Sequence, residues 1–172
     1  RFYLEPRAFY RYVDDYIQGT PATDDTVTAI WSDALQFSNV DAKLYGADAA
    51  WGVTLTDHWS LDGVVSYVRG ERDDISDDLY RIAPLNGRLS VTYRESDWWA
   101  TLEGVAYAEQ DDVSKTNNEQ ETDSYQLLNL RAGIDVGRGL SLTAGVETVS
   151  FADGDANVAV AAEDAADYFV VA

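Results

Sequence analysis

From Leu85 to Tyr93 the chain alternates without a break. Leu85, Gly87, Leu89, Val91 and Tyr93 fall at odd positions, and Asn86, Arg88, Ser90 and Thr92 at even ones. Successive side chains of a strand point to opposite faces, so this spacing predicts a strand with one apolar and one hydrogen-bonding face. Similar alternation recurs along most of the sequence and predicts eight strands, over about 2–17, 34–40, 42–56, 59–70, 82–95, 98–110, 124–137 and 140–151. The second, around Leu35-Gln36-Phe37, is poorly marked. Pro6 has no N–H to give a ladder and points to an edge or a bulge in the first. No helical period competes until Ala159–Asp167, where alanines and acids suit a short helix or a loop.

Two inverse architectures share this pattern. A soluble sandwich buries its apolar face and wets the other, whereas a membrane barrel turns apolar side chains to lipid and polar ones to its lumen. The connections separate the two. Thr56-Asp57-His58, Glu95-Ser96-Asp97 and Gly137-Arg138-Gly139 are tight hairpin links, and between them lie long polar segments at about 18–33, 70–81 and 110–123. Short and long links therefore alternate, as periplasmic turns and external loops do in outer-membrane barrels. A soluble up-and-down barrel has no physical reason to sort its loops so. Several segments exceed the soluble mode of about 5–6 residues and meet the roughly 9–11 needed to cross a bilayer at a tilt. Aromatic residues sit near strand ends, at Tyr10, Tyr12, Trp51, Trp59, Tyr67, Tyr93, Trp98 and Trp99, as two interfacial girdles require.

Composition narrows the chemistry. With 31 acidic and 12 basic residues, a net charge of −19 argues against nucleic acid as a partner, since phosphate contacts need Lys and Arg. There is no cysteine and one histidine, His58, which excludes disulfides, thiolate metal sites and a histidine cluster. His58 falls in a short turn on the expected periplasmic side, where a structural role is the commoner one. No apolar run approaches the ~18 residues of a membrane-spanning helix. The absence of a leader and a start in mid-pattern at Arg1-Phe2-Tyr3 suggest that the sequence does not open at a natural beginning.

Four stretches carry a resemblance. Phe9–Thr20 resembles a late barrel strand and loop of TonB-dependent outer-membrane receptors. Phe37–Asp48 resembles the same family's N-x-x-x-A-x-x-x-G-x-E/D strand entry, Leu79–Leu89 its P-x-x-x-x-x-L strand, and Leu127–Gly133 through Leu142–Glu147 its final hairpins. The resemblance covers about residues 1–150. It implies a barrel of 22 strands, a plug domain that this chain lacks, a TonB box, and uptake of ferric siderophores, cobalamin or copper. Two departures stand out: Val146-Glu147-Thr148-Val149-Ser150 replaces the family's Val-Glu-Asn-Leu-Phe, and the chain closes on Tyr168-Phe169-Val170-Val171-Ala172 without the family's terminal aromatic.

Among candidate sites, Asp73, Asp74, Asp77 and Asp78 would suit a hard cation such as Ca²⁺, which takes six to eight oxygens, although a solvated charge run is the blander reading. Asp153-Gly154-Asp155-Ala156-Asn157 with Asp164 echoes a calcium loop, but Val158 stands where the tight-turn glycine belongs. Arg7, Arg11, Asp48, Arg88, Glu103 and Arg131, with Glu5, Asp135 and Glu147, face the expected lumen as candidates for a substrate path; pairing with one another or with the plug is the plainer role. No nucleophile–base pair or phosphate loop is present, so catalysis is not expected and no cofactor is firmly implied.

The expectation is an all-β, antiparallel up-and-down transmembrane β-barrel, with barrel strands over 1–151 and an acidic, alanine-rich terminal segment over 152–172 holding a loop and a last strand. It is expected to form part of a larger barrel. Its partners would be outer-membrane lipid, TonB acting through the plug, and a small metal-chelate ligand. The alternative of another class is a self-contained eight-stranded barrel, in the outer membrane or soluble, whose first and last strands pair. An acidic cation-binding scaffold is the third.

Overall fold

The computed structural model of the chain describes residues 1–31, 34–149 and 159–160. Its strands are β1 (Phe2–Pro21), β2 (Leu35–Thr54), β3 (Trp59–Arg72), β4 (Asn86–Arg94), β5 (Trp98–Tyr107), β6 (Tyr125–Gly137), β7 (Leu140–Val149) and the two-residue β8 (Ala159–Val160). One turn of helix, α1 (Asp25–Thr28), lies between the first two strands. The strands form one sheet in sequence order, each antiparallel to the next. Among the described residues β1 pairs only with β2, so the sheet is an open stretch of wall. The seam that a self-contained eight-stranded barrel requires is not formed among them.

The expected second and third strands are a single strand, β2. Residues 34–40 and 42–56 are expected as two strands, yet no turn chemistry lies between them, and β2 runs through Val40-Asp41-Ala42 in register with β1. The irregularity falls on the opposite strand: the β1–β2 register slips between Val13 and Tyr16, where Asp15 takes a φ of 57°. One extra residue there forms a bulge, which moves the inward-facing set of β1 from odd to even positions. Pro6 pairs with Ala49 with no slip.

The links confirm the sorting. At one end are the short turns. Arg138 and Gly139, both with positive φ (57° and 79°), make the two-residue turn favoured between strands of right-handed twist. Thr56 Oγ1 accepts from the His58 and Trp59 amides at 3.2 and 3.1 Å. At the other end are residues 22–31, 73–85 and 108–124.

Burial is inverted relative to a soluble β-domain. Leu61, Val91, Leu102, Leu130 and Val146 lie side by side across five strands on one face. Of these, Leu102, Leu130 and Val146 are about half exposed. The adjacent row on the other face is Asp62, Ser90, Glu103, Asn129 and Glu147, and Ser90, Glu103 and Asn129 are buried. Apolar out and polar in is the pattern of a wall against lipid. The outward face is bounded by rings. Trp59, Tyr93 and Trp98 cluster at the short-turn end, with centroids 4.9 and 5.2 Å apart, and Tyr10 stacks on Tyr45 toward the loop end at 6.2 Å. Trp59 and Tyr67 bracket the apolar stretch of β3, roughly 26 Å apart along the strand at about 3.3 Å per residue. At a tilt near 40° that is about 20 Å of height, close to the ~25 Å apolar band of such barrels.

Candidate functional site

The inner face holds one connected polar network. Glu103, on β5, is flanked in register by Ser90 on β4 and Asn129 on β6. Its Oε1 accepts from Asn129 Nδ2 at 3.0 Å and its Oε2 from Ser90 Oγ at 3.3 Å and Arg88 Nη1 at 3.3 Å. Arg131 Nη1 lies 3.5 Å from the same carboxylate, and Arg131 Nη2 reaches Glu147 at 3.0 Å. Arg88 Nη2 stands 3.6 Å from Asp62. A carboxylate lifted from water needs donors on all its lone pairs, and here two guanidiniums, an amide and a hydroxyl supply them. Each guanidinium bridges two carboxylates, Arg88 those of Glu103 and Asp62 and Arg131 those of Glu103 and Glu147, while both side chains remain over 40% exposed toward the lumen.

Of the expected lumenal residues, the structure brings Arg88, Glu103, Arg131 and Glu147 together. The others stand apart from that network. Arg7 pairs with Glu5 at 3.5 Å, and Asp48 sits opposite Arg7 in register. The Arg11 guanidinium lies over the Phe9 ring, 5.9 Å from its centroid. Asp135 accepts from Ser141 Oγ at 2.6 Å near the short-turn end. His58 Nδ1 is 3.0 Å from the Arg94 carbonyl and its ring stacks on Tyr93 at 5.7 Å, a local fastening of that turn.

The four aspartates of the loop after β3 do not converge. Asp73 pairs with Lys43 and accepts from Tyr12 Oη at 3.2 Å, Asp74 takes Arg72 Nε at 2.9 Å, and Asp78 takes Arg69 at 2.9 Å. Asp77 caps the neighbouring loop, accepting from Ser114 Oγ, the Lys115 amide and the Thr116 amide at 3.0, 2.8 and 3.1 Å. Among the described residues no three acidic or histidine side chains gather as a cation's ligands would. The charges instead shape the loops. Lys43 beside Asp73 and Arg72 beside Asp74 hold both carboxyls below the usual aspartate range. Burial alone would raise the Asp77 carboxyl, but the hydrogen bonds from residues 114–116 outweigh it and bring it below that range. The calcium-like stretch Asp153–Asn157 with Asp164 lies outside the described residues.

That same loop folds inward. Leu79 is fully buried against Val40 and Ala42, with Tyr16, Leu44 and Ile82 around it. It covers Gly70, where an added Cβ would stand 2.8 Å from the Leu79 side chain, so a larger residue at 70 would push the loop off the wall. Tyr80 N donates to Gln18 Oε1 at 3.2 Å, taking the loop across β2 to β1. The loop after β5 is tied to it by Asp77 and by Glu119, which accepts from the Arg81 and Ser114 amides at 3.0 and 2.8 Å, and to β3 itself by an ion pair between Arg69 and Asp112. Two of the long loops thus form one fastened unit on the inner side of the wall at its outer end.

A wall with lipid-facing leucines, a charged interior and loops sorted by end invites comparison with known barrels. The profile of the TonB dependent receptor-like β-barrel matches residues 1–149. The chain belongs to that family. No curated protein matches the sequence. Among solved structures, the copper transporter OprC superposes with a TM-score of 0.76 at 23% identity, over 85% of this chain and 22% of that one. The chain therefore spans about a fifth of the length of that transporter, and the likeness is one of fold.

In this TonB-dependent receptor segment, sequence reasoning missed Ser90, Asn129 and Glu119, and named Asp77 as a cation ligand where it is an acceptor for the neighbouring loop. Ser90 and Asn129 are uncharged and become visible only through the register that places them beside Glu103. Asp77 and Glu119 act on backbone amides, which no spacing of residue types reveals.

Proposed function

We propose that the chain forms part of the barrel wall of an outer-membrane receptor that takes up a metal chelate of the siderophore, cobalamin or copper-complex kind. TonB would supply the energy through a plug seated in the lumen. The observation that carries this reading is the pairing of faces: an apolar row toward lipid backs a row of buried carboxylate and partly exposed arginines toward the lumen, under loops folded inward. The inner arginines Arg88 and Arg131 offer donors to a plug or to a passing anionic ligand, and the acidic loops above repel anions that lack a bound cation.

Copper, the cargo named for OprC, is soft in its reduced state and selects thiolate and thioether ligands. This chain has neither cysteine nor methionine, and its one histidine lies at the short-turn end. These residues would thus meet a metal through its chelator, by oxygen and guanidinium contacts with the periphery of a complete complex.

The test is uptake of radiolabelled ferric chelates, cobalamin and copper complexes by cells with and without the whole receptor gene, with and without a proton-motive force. Energy-dependent uptake of one of these, lost on deletion, is the expected result. Uptake unchanged for all of them contradicts the reading.

A further inference from the structure

The β1–β2 hairpin carries a second surface that faces away from the lumen. Both strands run far past the tops of β4 and β5, which begin and end at Asn86 and Tyr107. Above the Val13–Tyr16 bulge, Tyr16, Gln18, Ser38 and Val40 turn inward, and Ile17, Leu35 and Phe37 turn outward. Ile17 is 68% exposed and Phe37 86%. Ile30 and Trp31, at the tip beyond α1, are 72% and 71% exposed. Single apolar residues on a surface mean nothing, but five large ones on one projecting hairpin mark a docking surface.

Lipid does not cover it. Phe37 lies six residues along β2 beyond Lys43, the partner of Tyr12, about 20 Å along the strand at roughly 3.3 Å per residue, and so well above the tyrosine ring. Asp14, Asp15 and Asp41 lie between that ring and the patch. Charge then names the partner. From Val13 to Ala42 the sequence has not one lysine, arginine or histidine, and its described residues include Asp14, Asp15, Asp24, Asp25 and Asp41. Of the nearest bases, Lys43 is held by Asp73 and Arg72 by Asp74, and Arg81 lies 4.9 Å over the Tyr80 ring.

We propose that the outward face of this hairpin docks a cationic amphipathic polypeptide, whose apolar side chains cover Ile17, Leu35 and Phe37 while its lysines or arginines meet the aspartates of the hairpin. Acidic rim and apolar centre together exclude an anionic partner and leave a neutral one without its charge steering. The surface is on the opposite side of the wall from the substrate path, so its occupancy is independent of the proposed uptake.

The test uses the whole receptor in nanodiscs of zwitterionic lipid, with empty nanodiscs as the control. The probe is a fluorescent 18-residue amphipathic peptide of leucine and lysine, with a lysine-to-glutamine version and a leucine-to-serine version. The cationic amphipathic peptide is expected to bind the receptor, with at least tenfold loss of affinity for Phe37→Ser combined with Ile17→Ser. A similar loss is expected for the neutral or leucine-free peptide and for a rise in salt from 50 to 300 mM. Both substituted side chains are exposed, and unchanged heat-modifiable migration checks that the barrel still forms. Equal binding to wild type and to the double variant overturns the proposal, as does no binding at all. Loss of receptor self-association in the double variant, with peptide binding unchanged, assigns the face to a second copy and overturns it too. Chelate uptake by the double variant is expected to stay at the wild-type level, which separates this surface from the transport reading.

Discussion

Glu103 holds the inner face together, because among the described residues it is the one carboxylate there that is buried and contacted from both neighbouring strands. Glu103→Ala removes the acceptor for Ser90, Asn129 and two arginines. Since both arginines are partly in water and find new partners there, the expected loss is roughly 1–3 kcal/mol and not the full cost of a stranded buried charge. Glu103→Gln keeps an acceptor and is expected to lose less. The midpoint of heat-modifiable migration for the whole receptor reads both, and an unchanged midpoint in the alanine variant refutes the role. The neighbouring position gives the converse experiment. Leu102→Arg places a charge toward the middle of the lipid band and is expected to cost about 2–4 kcal/mol, whereas Thr101→Arg, on the lumenal face, is expected to cost little. Equal penalties would mean that the faces have been assigned wrongly. At this scale the sequence was readable wherever charge marked a position: Arg88, Glu103, Arg131 and Glu147 stood out and do meet. Arg7 and Arg11 looked equivalent by parity, but no periodicity could tell that Arg11 would spend its charge on Phe9.

Between elements, the loops after β3 and β5 are expected to open together. Asp77 and Glu119 accept backbone amides across the two loops, so Asp77→Ala should speed hydrogen exchange at Lys115 and Thr116, about tenfold or more for the loss of a charge-assisted bond. Exchange there that is indifferent to residue 77 would show that the loops move independently. The coupling also depends on pH. The Asp77 carboxyl lies lower in the folded state than its unfolded value of ~3.9, so its contribution is complete above that value. It fades as pH falls through the lower folded value, and protection at residues 114–116 should be flat from neutral pH to about 5 and then drop. Strand existence was legible from period two, and the turns from Gly137-Arg138-Gly139 and Thr56. The single long β2 was not, because a bulge in β1 at Asp14-Asp15 breaks the register of its partner and leaves no mark in β2 itself. The inward fold of the loop after β3 was equally hidden: Leu79 reads as one apolar residue in a charged stretch until Gly70 and Ala42 are seen to receive it.

The molecule as a whole is a sheet with its polarity reversed. Its largest apolar side chains stand outward between two aromatic rings, its buried polar groups line the other face, and its loops are sorted by length to opposite ends. This was the most legible level of all, since alternation and loop asymmetry are properties of the entire chain and survive errors in any one strand. Among the described residues seven long strands cross where eight were expected, because two of the expected ones are the single β2, and β8 adds two residues beside the end of β7. The central claim is the orientation of the two faces. These 172 residues hold no cysteine, so a single cysteine introduced among them carries the one nitroxide of this segment. In the membrane-embedded receptor, labels at successive positions 100–104 of β5 and 89–93 of β4 would be tested for collision with oxygen, which concentrates in lipid, and with a water-soluble nickel chelate. The account predicts oxygen access at 100, 102 and 104 and at 89, 91 and 93, with nickel access at the positions between them. The opposite phase, or no alternation on either strand, would contradict it.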